Sequence, residues 1–104
     1  MIPQKTIEEL INKHLNLEKD LSSGEIDKKK FAEKSKEYSD INEIIEEAKK
    51  YLSFEKDKIE LEKILNDQTS DDELKKMVEI ELIDLKLKNE SNEKKLKIFL
   101  LPKD

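Results

Sequence analysis

Cysteine is absent from these 104 residues, glycine occurs once and proline twice. Without cysteine there is no disulfide, no thiolate metal ligand and no thiol nucleophile, a composition compatible with a reducing cytosol. A single glycine and 5% aromatic residues exclude a sandwich or a barrel, whose hairpins need turn residues and whose strands need β-formers. No apolar run approaches the roughly 20 residues needed to span a bilayer. The N-terminus, with Glu8 and Glu9, is unlike a signal peptide. There is no glycine-rich loop to cradle phosphate, no calcium loop with its central glycine, and no aromatic platform for bases.

Charge is what the chain has in abundance. Charged residues make up 45% and hydrophobic residues 35%, against about 25% and about 45–50% in ordinary globular domains. Lys, Glu, Leu and Ile dominate, the composition of long helices with narrow apolar seams. The length is that of one domain, and such a chain buries only a thin core. A net charge of −5 speaks against a general DNA or RNA binder, which is normally basic.

Apolar spacing predicts three helices. Ile7, Leu10, Ile11, His14, Leu17 and Leu21 recur in steps of three and four, one stripe on a helix over about Thr6 to Leu21. Thr6 with Glu9 reads as a capping box, or Pro3 marks the first turn; Gly24 supplies the left-handed end. The short connection implies an antiparallel return. A second helix is expected from Asp27, its N-cap, to about Asn66. Phe31, Tyr38, Ile45, Leu52 and Ile59 recur every seven residues in it, a coiled-coil-like core seam. Roughly 40 residues at about 1.5 Å each make a rod of about 60 Å, far longer than the first helix.

Asn66 to Thr69 is the next break, and Ser70-Asp71-Asp72-Glu73 reads as a capping box that opens a third helix reaching about Leu100. Leu74, Val78, Leu82, Leu85, Leu96 and Phe99 fall on its seam, Asn89 and Asn92 turn that seam polar, and Met77, Ile80, Ile83 and Leu87 widen the apolar face. Pro102 ends the helix by Leu101. The expectation is all-α: an elongated antiparallel three-helix bundle, with a short first helix laid against one end of a long hairpin. The apolar run Ile98-Phe99-Leu100-Leu101 either leads into a further domain or folds back on the core.

No catalytic constellation, cofactor motif or metal-ligand set is present. His14, the only histidine, sits on an apolar stripe with no nucleophile or second ligand near it in sequence, which favours a structural role. Asp71, Asp72 and Glu73 read as helix capping rather than a cation site. Lys28-Lys29-Lys30 and Lys94-Lys95 with Lys97 read as solvated helix faces, with RNA contact as the rival.

The order of these features is more specific than any one of them. Phe31-x-x-x-Ser35-x-Glu37-Tyr38 early in a long helix, an acid-rich break, a capped last helix and the closing Leu100-Leu101-Pro102-Lys103-Asp104 resemble the N-terminal domain of a bacterial class I peptide chain release factor, of the type that reads UAA and UAG. The resemblance covers essentially the whole chain. It implies a helical domain over 1–101, with 102–104 beginning the linker to a second domain. It implies a cytoplasmic translation-termination factor that docks near the stalk base of the large ribosomal subunit, where translational GTPases act. It also implies recognition by the methyltransferase that modifies the family's Gly-Gly-Gln glutamine. That Gly-Gly-Gln motif, which promotes peptidyl-tRNA hydrolysis, is absent here, as is the stop-codon-reading tripeptide, so neither activity resides in these residues. No motif assigns an individual contact residue to the ribosome or to another partner. The rivals are a free-standing coiled-coil scaffold that dimerises through its surplus helix length, and a helical hairpin that binds RNA through its lysines.

Overall fold

The computed structural model describes residues 1–102. Among them are four helices: α1 (Gln4–Ser23), α2 (Lys28–Asn42), α3 (Ile45–Asn66) and α4 (Asp72–Leu100). The last two pack along each other as a hairpin, while α1 lies against α2 and the start of α3. The molecule measures 60 × 32 × 20 Å with a radius of gyration of 18.4 Å, where a compact domain of this length would have about 13 Å. The elongated all-helical architecture therefore matches the expectation; the number of helices does not.

The expected second helix is two helices. At the junction Ile44 N–H donates to the Ile41 carbonyl, three residues back, at 2.9 Å. Ile44 sits at φ −115°, ψ −3°, right-handed but off the α ladder. Neither Gly nor Pro marks the position. Packing does: Ile41, Ile44, Ile45 and Ala48 are all buried around the bend. The bend lets α2 follow α1 while α3 follows α4.

The bend also explains why the seven-residue series is only partly core. Ile45 is inside and Tyr38 packs against the core, but Phe31 and Ile59 are about half exposed and Leu52 lies at the surface. Phe31 and Tyr38 lie on α2, and within α3 a drift of about 20° per heptad carries Ile59 about 40° off the face of Ile45. The inward face of α3 is instead Ala48, Tyr51, Phe54, Leu61 and Ile64.

Helix ends follow local hydrogen-bond chemistry. Pro3 takes the N-cap position of α1, and its carbonyl accepts from Thr6 N–H and Ile7 N–H at 3.1 and 3.4 Å; no side chain caps the helix, so the Thr6–Glu9 box does not form. Gly24 adopts φ 73° after α1, as expected. Asp27 caps α2, accepting from Lys30 N–H at 2.9 Å. Asp71, one residue later than Ser70, caps α4 by accepting from Leu74 N–H at 2.8 Å. Leu101 is extended at φ −64°, ψ 140°, as a residue before proline should be. The expectations for Lys103 and Asp104 lie outside the described residues.

Before α4, Asp67 Oδ1 accepts from the Thr69 hydroxyl at 2.7 Å and the Thr69 N–H at 2.8 Å. These two bonds hold the Asp67 carboxyl below its ordinary value, the hydroxyl being the larger cause. A lowered folded-state pKa means that the turn's contribution is present above the unfolded pKa, about 3.9, and lost as pH falls through the folded value. Titration followed by NMR should therefore give Asp67 a midpoint lower than that of an unstructured aspartate, and Thr69→Val should raise it. An unchanged midpoint in the variant would show that the hydroxyl is not the cause.

On α4, Val78, Leu82 and Leu96 are buried and Phe99 packs against the core. Leu74 is substantially exposed, and Met77, Ile80, Ile83 and Leu87, expected to widen the buried face, are all more than half exposed. At about 100° per residue, Ile80, Ile83 and Leu87 fall opposite Leu82 and Leu96, on the side of α4 turned away from the core. The apolar run before Pro102 is divided in the same way: Phe99 turns inward, while Ile98 and Leu101 face solvent.

Candidate functional site

His14 packs between α1 and α2. It is buried, its Nε2 lies 3.0 Å from Asn42 Oδ1, and its ring stacks on Tyr38 with centroids 4.7 Å apart. These contacts tie α1 to α2 and bring no nucleophile to the ring. Among the described residues no group of three His, Cys, Asp or Glu side chains could hold a metal ion. Asp71 is occupied as a cap, and Asp72 and Glu73 occupy the first turn of α4, where negative charge meets the positive end of the helix dipole.

The lysine clusters do not merge. Lys28, Lys29 and Lys30 are exposed in the first turn of α2, and Lys94 and Lys95 are exposed on α4. These two helices do not pack on each other. Lys97 is paired with Glu93 at 3.2 Å. Glu93 also meets the Met1 ammonium at 3.1 Å. The ammonium first, then Lys97, hold the Glu93 carboxyl below its ordinary value.

The hairpin of α3 and α4 carries a concavity. Along one side of the hairpin, from the level of Lys50 to that of Ile64, the two helices leave a groove of about 540 Å³ between them. Phe54, Leu61, Ile64 and Leu85 supply its apolar surface. Asp57, Glu60, Glu81 and Asp84 line it together with Lys50 and Lys88. Lys88 is bound to Asp84 at 2.9 Å and Asp57 accepts from the Ser53 hydroxyl at 3.0 Å. A smaller cavity of about 240 Å³ adjoins it beneath the start of α1, and Phe54 and Asn89 line both. There the chain is pinned by Ile2 N–H, which donates to the Tyr51 hydroxyl at 3.1 Å.

Asn89 is the unusual residue of this seam. Its Oδ1 is buried with no hydrogen-bond partner, a defect worth about 1–3 kcal/mol. Asn89→Leu should therefore stabilise the chain by about 1–2 kcal/mol, read as a higher urea midpoint at unchanged slope. A loss of stability would mean that the amide is satisfied in solution.

The polar interruption at Asn89 and Asn92 was visible in the sequence; Phe54, Leu61 and Ile64 were not recognised as its facing side. Carrying the heptad register across the bend selected Leu52 and Ile59 instead. The signal that finds the true face is the step of three, seven and three from Tyr51 through Phe54 and Leu61 to Ile64.

Comparison with known proteins adds an independent observation. The PCRF domain profile matches residues 10–104. The chain is 69% identical over 104 residues to Peptide chain release factor 1 of Pelagibacter ubique (strain HTCC1062), covering all of this chain and 29% of that protein. No solved structure matches the chain.

Proposed function

This chain belongs to the PCRF domain family, and from that premise we propose that it is the N-terminal docking domain of a peptide chain release factor whose whole chain ends translation at UAA and UAG. The observation that carries this reading is the 69% identity along all 104 residues to a relative named as a release factor. The chain spans 29% of that relative's length, so the chemistry of termination belongs to the remainder. Gly24 is the only glycine, which leaves no Gly-Gly-Gln here.

The domain's own part is to hold the factor on the ribosome, in the stalk-base region of the large subunit, and to present the factor to the methyltransferase of the Gly-Gly-Gln glutamine. A narrow rod about 60 Å long suits a docking arm better than a catalytic centre. Among the described residues no helix is long and apolar enough to cross a membrane, in keeping with a cytoplasmic setting.

Two measurements test this. The purified chain should pellet with ribosomes in a saturable way, and it should release no peptide from ribosomes loaded with peptidyl-tRNA at a stop codon. Peptide release by this chain alone, or no ribosome association at micromolar concentration, would overturn the assignment.

A further inference from the structure

We propose that the groove between α3 and α4 is a docking site for a basic amphipathic helix of a protein partner. The chain itself shows what packs on an α3 face: at the bend-proximal end α1 does so, burying Ile7, Leu10 and Leu17 on one amphipathic stripe. The groove opens on a different side of α3 from the one α1 covers: Lys50, Asp57, Leu61 and Ile64 line it, Tyr51, Leu52 and Glu55 line the smaller cavity under α1, and Phe54 and Asn89 border both. From Lys50 to Ile64 the groove follows α3 for about 21 Å, the length of a helix of about 14 residues. Its volume of about 540 Å³ accepts several side chains from one face of such a helix.

Charge sets the chemistry of the occupant. Carboxylates outnumber lysines two to one around the groove, and Lys88 is already engaged by Asp84. Glu60 and Glu81 are exposed and form no ion pair among the described residues. Lysine or arginine flanking an apolar stripe meets this rim favourably, whereas nucleic-acid phosphate meets like charge. The orphan Asn89 Oδ1 adds an acceptor to the seam that an incoming N–H donor can satisfy after a turn of the amide. This assignment rests on the docking role above for its cellular setting, and it names the partner's chemistry: a basic protein segment rather than RNA.

The test uses a 14-residue peptide of leucine and lysine patterned as an amphipathic helix, its leucine and glutamate counterpart, and poly(U) RNA. The basic peptide should bind and should shift the amide resonances of Phe54, Leu61, Leu85 and Asn89. Glu60→Lys with Glu81→Lys should weaken it by about tenfold or more, while Glu18→Lys with Glu25→Lys, the same charge change away from the groove, should weaken it by less than about twofold. Shifts confined to Asp67–Glu73, equal weakening by the two double variants, or preference for poly(U) or the acidic peptide would each overturn the proposal. Ribosome association without peptide binding removes the groove and leaves the docking role; peptide binding in the groove without ribosome association does the reverse.

Discussion

Leu96→Ala is expected to cost about 3–4 kcal/mol and to lower the melting temperature by more than about 12 °C. Leu96 is fully buried and is the α4 member of a core cluster formed otherwise by Ile2, by Ile7, Leu10 and Leu17 of α1, and by Ile41, Ile44, Ile45 and Ala48 around the bend. Truncation removes the apolar transfer term and leaves a cavity lined by side chains from several helices, which collapse poorly when each is held elsewhere. The loss is large relative to a total stability of about 5–10 kcal/mol, the range expected for so thin a core. Urea unfolding with a common slope for the two proteins measures it. A cost below about 1 kcal/mol would show that the C-terminal part of α4 does not hold the α1 end of the rod.

Ala48→Leu should be nearly as damaging, at about 2–3 kcal/mol, for the opposite reason. Ala48 is fully buried in the same cluster, and its N–H restores the α ladder after the bend by donating to the Ile44 carbonyl at 3.0 Å. Three added carbons have no space between the helices, so α1 must move off α3 or the bend must open. Ala48→Gly separates packing from helix propensity, since it removes one methyl group and costs about 1 kcal/mol through the backbone. If the leucine variant matched the glycine variant, close packing at the bend would be refuted. In the damaged leucine variant, weakening of the Ile2–Tyr51 hydrogen bond should appear as faster exchange of the Ile2 amide.

Much of the fold was legible because helix ends are local. Asp27, Asp71 and Gly24 act on backbone groups within three or four residues, and their chemistry reads the same in the chain as in the folded protein. The small errors at ends have the same origin: Asp71 competes with Ser70 for one cap, and Pro3 pre-empts Thr6. The first helix's stripe was also plain, since Ile7, Leu10, His14 and Leu17 all proved buried. His14 lies on that stripe, and in the fold its ring meets Asn42 and stacks on Tyr38.

The groove was half legible. Asn89 and Asn92 announced an interruption of the seam, but nothing in the residue types around Glu43 and Ile44 announced the bend that rotates Phe54, Leu61 and Ile64 toward it. The exposed side of α4 was illegible for a related reason. Ile80, Ile83 and Leu87 have the spacing of buried residues. Whether that side is covered depends on another helix being there.

By itself, then, the sequence determined the all-helical class, the starts of α2 and α4 to within a residue, the breaks after Ser23 and Asn66, and the family to which the chain belongs. Those properties follow from composition, capping hydrogen bonds and residue identity, none of which needs a distant contact. Tertiary structure alone decided the bend at Ile44, the side of α4 left bare, and the groove along the hairpin. Each of those depends on how far one helix extends along another, a long-range fact that periodicity within a single helix does not encode.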